Sequence, residues 1–219
     1  MTGARAARLE KLQGIYALCG ATPGDPAAQA RAAIAGGAGA VQLRMKGAAS
    51  GAVLAKARAL KTLAAGRALV FVNDRPDLAA LADVDGVHLG AEDLPVAAAR
   101  AVVGPDRLVG RTARDLAEAE EALRDGADYV GFGPVFPSRT KHLGVAPRGL
   151  DGLAALCAGL AATGARVVAI GGIALEQVGE VARAGADAAA VAEALYGRGD
   201  ASENAAALAA AFLHGARGA

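Results

Sequence analysis

Short β-branched runs alternate with longer Ala-rich stretches along the whole chain. The runs Ile15 to Cys19, Ala40 to Arg44, Ala68 to Val72, Gly86 to Leu89, Leu108 to Gly110, Tyr129 to Phe132, Val167 to Ile170 and Ala188 to Val191 read as strands. The stretches between them read as helices, because Ala has high helix propensity and Gly or Pro punctuates each one. Asp25 caps a helix that has Pro26 in its first turn and runs to Gly36-Gly37. Ser50 caps the next, which ends near Gly66. Further helices are expected from Pro76 to Ala82, Pro95 to Val103, Asp115 to Arg124, about Gly149 to Leu160, Leu175 to Ala184 and Ala201 to Leu213.

Alternating strands and helices pair in parallel. Eight such units in 219 residues predict a compact α/β fold, a single (β/α)8 TIM barrel over 1–219, with 1–13 as an N-terminal extension and 197–219 as a C-terminal helix and tail. A doubly wound open sheet needs a Gly-rich first turn, and Cys19-Gly20-Ala21-Thr22-Pro23 is not one. Gly-Ala-Asp recurs before strands six and eight, at Gly126-Ala127-Asp128 and Gly185-Ala186-Asp187, with Gly39-Ala40 before strand two. Each Gly is expected to end a helix in the left-handed conformation.

Composition narrows the partners. Lys+Arg 23 against Asp+Glu 22 gives a net charge of +1, so no global field draws the chain to nucleic acid or to an anionic membrane. Any anion site must be local. Aromatic residues are only 3%, which argues against stacking on exposed bases. The first residues are polar and charged, without the apolar run of a signal peptide, and no stretch has the apolar length of a membrane span. Cys19 and Cys157 lack zinc spacing and read as reduced packing residues. A cytoplasmic protein acting on small molecules is expected, with self-association left open.

In such a barrel the chemistry sits at the C-terminal ends of the strands. Strand two ends Gln42-Leu43-Arg44-Met45-Lys46, and alternation puts Gln42, Arg44 and Lys46 on one side, an anion site of two cations and an amide. Strand three ends Asn73-Asp74-Arg75, and Glu92-Asp93 follows strand four. Carboxylates from adjacent strand ends can share Mg2+, which completes its shell with water and phosphate oxygens. The competing reading has Asp74 and Asp93 capping the helices that follow them. After strand six, Ser138, Arg139, Thr140 and Lys141 form a second anion-binding set on a long loop that reads as a lid. Gly171-Gly172 after strand seven is either a phosphate site or a tight turn. Two anion pockets and one metal suggest a diphosphate joined to a second phosphorylated substrate. His88 is expected to point into the barrel and be hydrogen-bonded there, with His142 and His214 at the surface.

These motifs, in this order, resemble the thiamine phosphate synthase family. The matching pieces are Gln42 to Lys46, Val72 to Arg75, Gly86 to Gly90 with Glu92 to Pro95, Ala127 to Phe136, Thr140-Lys141 and Ala169 to Ile173. The resemblance implies a transferase on a (β/α)8 barrel. It would join a hydroxymethylpyrimidine diphosphate to a thiazole phosphate, giving thiamine phosphate and pyrophosphate by a dissociative, Mg2+-assisted route. It further implies that Arg44, Lys46 and Lys141 are catalytic and meet the diphosphate. Asp74 and Asp93 would hold Mg2+, and Asn73 would meet the pyrimidine. Ser138, Arg139, Thr140 and Gly172 would meet the thiazole phosphate, and Gln42, Leu43, Met45, Thr112, Ala192 and Glu193 would complete the substrate surface.

Thr112 and Arg114 stand where the family carries Ser and His, and Ala192-Glu193 stands for its Val-Ser. A carboxylate ~5 Å from a phosphate would cost ~3 kcal/mol per unit charge at an effective dielectric of ~20. The expectation is that only the backbone N–H of Ala192 and Glu193 meets the phosphate, while the Glu193 side chain turns outward toward Arg198 or Arg183. A thiazole tautomerase-like isomerase often has His at the position of Pro134 and tends to lose the metal carboxylates. That isomerase, and a barrel that binds a thiamine precursor without turnover, are the competing functions.

Overall fold

The computed structural model describes residues 1–137 and 146–218. After a first helix, α1 (Gly3–Glu10), strand β1 (Gly14–Cys19) leads into α2 (Pro26–Ala35) and β2 (Ala40–Leu43). Then follow α3 (Ser50–Ala64), β3 (Leu69–Asn73), α4 (Pro76–Leu81), β4 (Gly86–Leu89), α5 (Val96–Val103), β5 (Leu108–Ala113), α6 (Leu116–Arg124) and β6 (Tyr129–Phe132). The chain continues through α7 (Gly149–Leu160), β7 (Arg166–Ile170), α8 (Leu175–Arg183), β8 (Ala188–Val191), the short α9 (Glu193–Tyr196) and α10 (Ala201–Arg217). The eight strands pair in sequence order and close on themselves, every ladder parallel. This is the barrel expected from the alternation.

Local signals behave unevenly. The Asp25 and Asp115 side chains accept hydrogen bonds from Ala28 N and Glu118 N, so both are helix caps. Ser50 is not a cap: Ala49 holds that position with no side-chain bond, and Ser50 Oγ instead accepts from Arg75 Nη1 at 3.0 Å. The helix α1 lies within the segment read as an N-terminal extension, and α9 is a single turn that opens at Glu193.

Alternation along the strands sorts two cores. Ile15, Ala17, Cys19, Val41, Leu43, Val70, Val72, Val87 and Leu89 face outward and pack under the helices. Tyr16, Ala40, Leu69, Phe71, Leu108, Tyr129, Val168, Ala188 and Ala190 fill the barrel, and Leu9 and Leu12 close its bottom. Of the two cysteines, both free thiols, Cys19 is buried and Cys157 half-buried.

The recurring Asp has a structural meaning that the Gly-based reading overlooked. Gly126 and Gly185 do lie at positive φ, 101° and 96°. The Asp that follows each of them, two residues on, reaches back to the preceding strand. Asp128 Oδ2 accepts from Val109 N at 2.8 Å, Asp187 Oδ2 from Val167 N at 2.8 Å, and Asp85 Oδ2 from Val70 N at 2.9 Å. Each also holds a cation: Arg5 and Arg100 on Asp128, Arg166 on Asp187, Arg8 and Lys61 on Asp85. The matching place before β2 is Gly39, where a Cβ would lie 2.5 Å from the Gln13 carbonyl oxygen. The pattern therefore breaks where the chain enters β2. These carboxylates satisfy strand N–H groups at the bottom of the barrel and leave the top free for chemistry.

Candidate active site

The top of the barrel begins with β2. Gln42 faces inward and its Nε2 donates to Tyr16 Oη at 3.0 Å. Leu43 is buried in the outer core, and Met45 packs against that core. For these two predicted substrate contacts, alternation turns the side chains away from the mouth. Arg44 and Lys46 continue the inward phase of Gln42. Lys46 Nζ lies 3.0 Å from Asp74 Oδ2, whereas the Arg44 guanidinium has no ion pair or hydrogen bond among the described residues.

Asp74 follows β3 at φ 63°, a left-handed conformation that Asp tolerates better than most residues. Its N–H donates to the His88 carbonyl at 2.8 Å, which ties the end of β3 to β4. Asp93 accepts from Gly90 N at 2.6 Å within its own turn. Neither carboxylate caps a helix: Arg75 and Pro95 hold the cap positions of α4 and α5 without side-chain bonds. Arg75 itself is drawn to the outside by Asp77 and Ser50.

The two carboxyls are close enough to perturb each other. Burial pushes Asp93 above the ordinary carboxylate range, and the neighbouring Asp74 adds to the rise. Burial pushes Asp74 the same way, but its interaction with Asp93, with Lys46 and Arg44 nearby, more than offsets it and holds Asp74 below that range. Like charges this close cannot both ionise at no cost, a cost that a divalent cation between them would relieve. Among the described residues no group of three or more His, Cys, Asp and Glu side chains gathers. Two hard oxygen donors beside two cations nevertheless suit Mg2+, which takes one or two carboxylates and fills its shell with water and phosphate.

Asn73, just before Asp74, ends β3 in the inward phase, paired in register with His88. Thr112 Oγ1 lies 3.1 Å from His88 Nε2. Arg114, at the position of the family's His, is turned to the surface by a bidentate pairing with Glu118. Gly172 sits at φ 66°, and a Cβ there would lie 2.3 Å from the Pro137 carbonyl oxygen, so the tight-turn reading holds for it whatever it binds. Ala192 and Glu193 open α9, whose first N–H groups have no intrahelical partner. Glu193 is exposed, as expected, but its carboxylate meets neither Arg198 nor Arg183. It folds along α9 onto Gly197, where a side chain would meet Oε1 at 2.7 Å. Ser138, Arg139, Thr140, Lys141, His142 and the expected lid lie outside the described residues.

Residues 15–195 match the family model described as thiamine monophosphate synthase. The chain belongs to the thiamine monophosphate synthase family. It is 57% identical over 216 residues to the thiamine-phosphate synthase of Anaeromyxobacter dehalogenans, covering 98% of this chain and 95% of that one. It is 46% identical over 171 residues to the thiamine-phosphate synthase of Chloroflexus aurantiacus, 77% of each chain. The thiamine phosphate pyrophosphorylase of Pyrococcus furiosus shares the fold at a TM-score of 0.83 and 34% identity, covering 95% of this chain and 98% of that one.

Within this family frame, sequence reasoning missed Arg111, Tyr16 and Tyr129. Arg111 Nη1 donates to the Leu94 carbonyl at 3.1 Å and Nη2 to the Ala91 carbonyl at 2.9 Å, clasping the turn that carries Asp93. An Arg at the C-terminal end of a barrel strand was the available signal. The Tyr16 and Tyr129 rings are buried, and only the structure shows where their hydroxyls go.

Proposed function

We propose that the protein is a transferase joining 4-amino-5-hydroxymethyl-2-methylpyrimidine diphosphate to thiazole phosphate, with release of pyrophosphate. The observation that carries this is the Asp74–Asp93 pair flanked by Arg44 and Lys46 at one side of the mouth. The pair suits a diphosphate and its metal, and among the described residues no nucleophilic side chain is poised there for covalent chemistry.

Arg44 and Lys46 bind the departing diphosphate, joined by Lys141 from the loop after β6. Asp74 and Asp93 would hold Mg2+, which would supply further charge neutralisation for the diphosphate. Asn73 and Thr112 orient the pyrimidine, with Gln42 beneath. Ser138, Arg139, Thr140, the Gly172 backbone and the first N–H groups of α9 hold the thiazole phosphate. The bond between the pyrimidine methylene carbon and the diphosphate oxygen breaks, and its electron pair leaves with pyrophosphate. The thiazole nitrogen then donates its lone pair to the pyrimidine cation to form the new C–N bond. The protein's part is to bind, orient and stabilise leaving charge. Among the described residues no helix is long and apolar enough to cross a membrane. The free thiols Cys19 and Cys157 suit a reducing compartment such as the cytoplasm.

With both substrates and Mg2+, purified protein should form thiamine phosphate and pyrophosphate in equal amounts. Isomerisation of a thiazole without pyrophosphate release would assign the isomerase reading instead, and binding without turnover a binding barrel.

Arg111 should matter through Asp93. Partners that orient metal ligands are worth about 10–100-fold in metal affinity. Arg111→Ala is expected to raise the Mg2+ concentration for half-maximal activity at least tenfold, by that measure. An unchanged Mg2+ dependence would show that the turn holds Asp93 unaided.

A further inference from the structure

Four hydrogen bonds cross the barrel just beneath the mouth. Gln42 Nε2 donates to Tyr16 Oη at 3.0 Å. Tyr16 Oη lies 3.1 Å from Tyr129 Oη, which lies 3.1 Å from His88 Nδ1. His88 Nε2 lies 3.1 Å from Thr112 Oγ1. The sequence makes room for this line with glycines. A Cβ at Gly110 would lie 2.0 Å from Tyr129 Cζ, and one at Gly131 would lie 2.8 Å from His88 Cε1. The Tyr129 and His88 rings stack, with centroids 5.5 Å apart.

The direction of the line follows from what each group can do. An amide NH2 only donates, so the Tyr16 oxygen accepts from Gln42. Tyr16 is 2% exposed, and an unpaired hydroxyl hydrogen there would be costly, so Tyr16 donates onward to Tyr129. Tyr129, 0% exposed, must then donate to His88 Nδ1 for the same reason. Burial holds both phenols well above the usual tyrosine range, so each keeps its proton.

We propose that Gln42, Tyr16 and Tyr129 form a one-way hydrogen-bond chain that fixes His88 as the Nε2–H tautomer and leaves the Thr112 hydroxyl hydrogen for the substrate. With Nδ1 accepting, Nε2 carries the proton and donates to Thr112 Oγ1. The Thr112 hydrogen then points to a ring-nitrogen acceptor on the pyrimidine, which rests on the placement of that ring proposed above. Gln42, Tyr16, Tyr129 and His88 act here as positioning residues.

The tautomer can be read without substrate, from the 15N shifts of the His88 ring nitrogens in the full-length protein. Nε2 should be the protonated nitrogen and Nδ1 the bare one. Protonation at Nδ1, or at both, would overturn the proposal. Gln42→Glu exchanges a donor for a carboxylate that only accepts, so the folded variant should switch His88 to the Nδ1–H form. An unswitched tautomer would also overturn it. Should that buried charge prevent folding, Tyr129→Phe keeps the test open, because cutting the line should give a mixture of tautomers. Tyr129 cannot touch substrate, yet Tyr129→Phe should raise KM for the pyrimidine diphosphate about tenfold, the scale of one hydrogen bond, with KM for the thiazole phosphate unchanged. An Nε2–H tautomer with both KM values unchanged would keep the chain and remove Thr112 from the pyrimidine site.

Discussion

Asp93→Asn and Asp74→Asn should each cut turnover by about 10²–10³-fold at saturating Mg2+, the scale of losing one preorganised group that stabilises departing charge. Asn suits the test because it, too, tolerates the left-handed backbone at Asp74, φ 63°. It can also still accept from Gly90 N as Asp93 does. Stability should move in the other sense for Asp93. Its carboxyl is held above the ordinary range, so the folded state favours the proton. That contribution is present below the ordinary carboxylate range and is lost as pH rises through the raised value. Asp93→Asn should therefore melt at or above the parent at neutral pH without Mg2+. Asp74 has the opposite sign: its lowered value favours the fold above the ordinary range and is lost as pH falls. Asp74→Asn should melt slightly lower at neutral pH. Near-normal turnover in either variant, at any melting temperature, would remove the metal assignment.

At the other end of the barrel, Asp128→Ala should act on stability alone. The Asp128 side chain is fully buried between Arg5 and Arg100 and also accepts from Val109 N. Removing it takes the counter-charge from two guanidinium groups and the partner from a strand N–H. Breaking a buried pair in this way costs about 3–5 kcal/mol. The urea midpoint should fall accordingly, while kcat at low temperature stays near the parent value because the carboxylate lies away from the mouth. A loss of kcat in fully folded protein would mean that the bottom of the barrel is coupled to its top.

Alternation of β-branched runs with Ala-rich stretches was enough to give the barrel, since eight such units leave few other ways to bury every strand. The phase of Gln42, Arg44 and Lys46 against Leu43 and Met45 was equally legible, because a strand has a period of two. The same rule applied to Leu43 and Met45 would have kept their side chains out of the substrate surface. Whether Asp74 and Asp93 cap helices or face each other was not legible. Both readings use the same residue types, and the choice depends on a distance between neighbouring strand ends. Glu193 shows the same limit, since its turn onto Gly197 is set by a short helix that no periodicity announces. Asp128 and Asp187 were visible as a repeat and Asp85 was not, and the bonds of all three to the strand before each arise only once the strands lie in register. Tyr16, Tyr129 and His88 lie far apart in the chain and meet only across a closed barrel. Composition and period thus determined the elements and which face of each turns inward, both being local properties of the backbone. Closure of the sheet decided which polar groups meet, because a hydrogen bond or a shared proton requires atoms within about 3 Å, and only tertiary structure sets that distance.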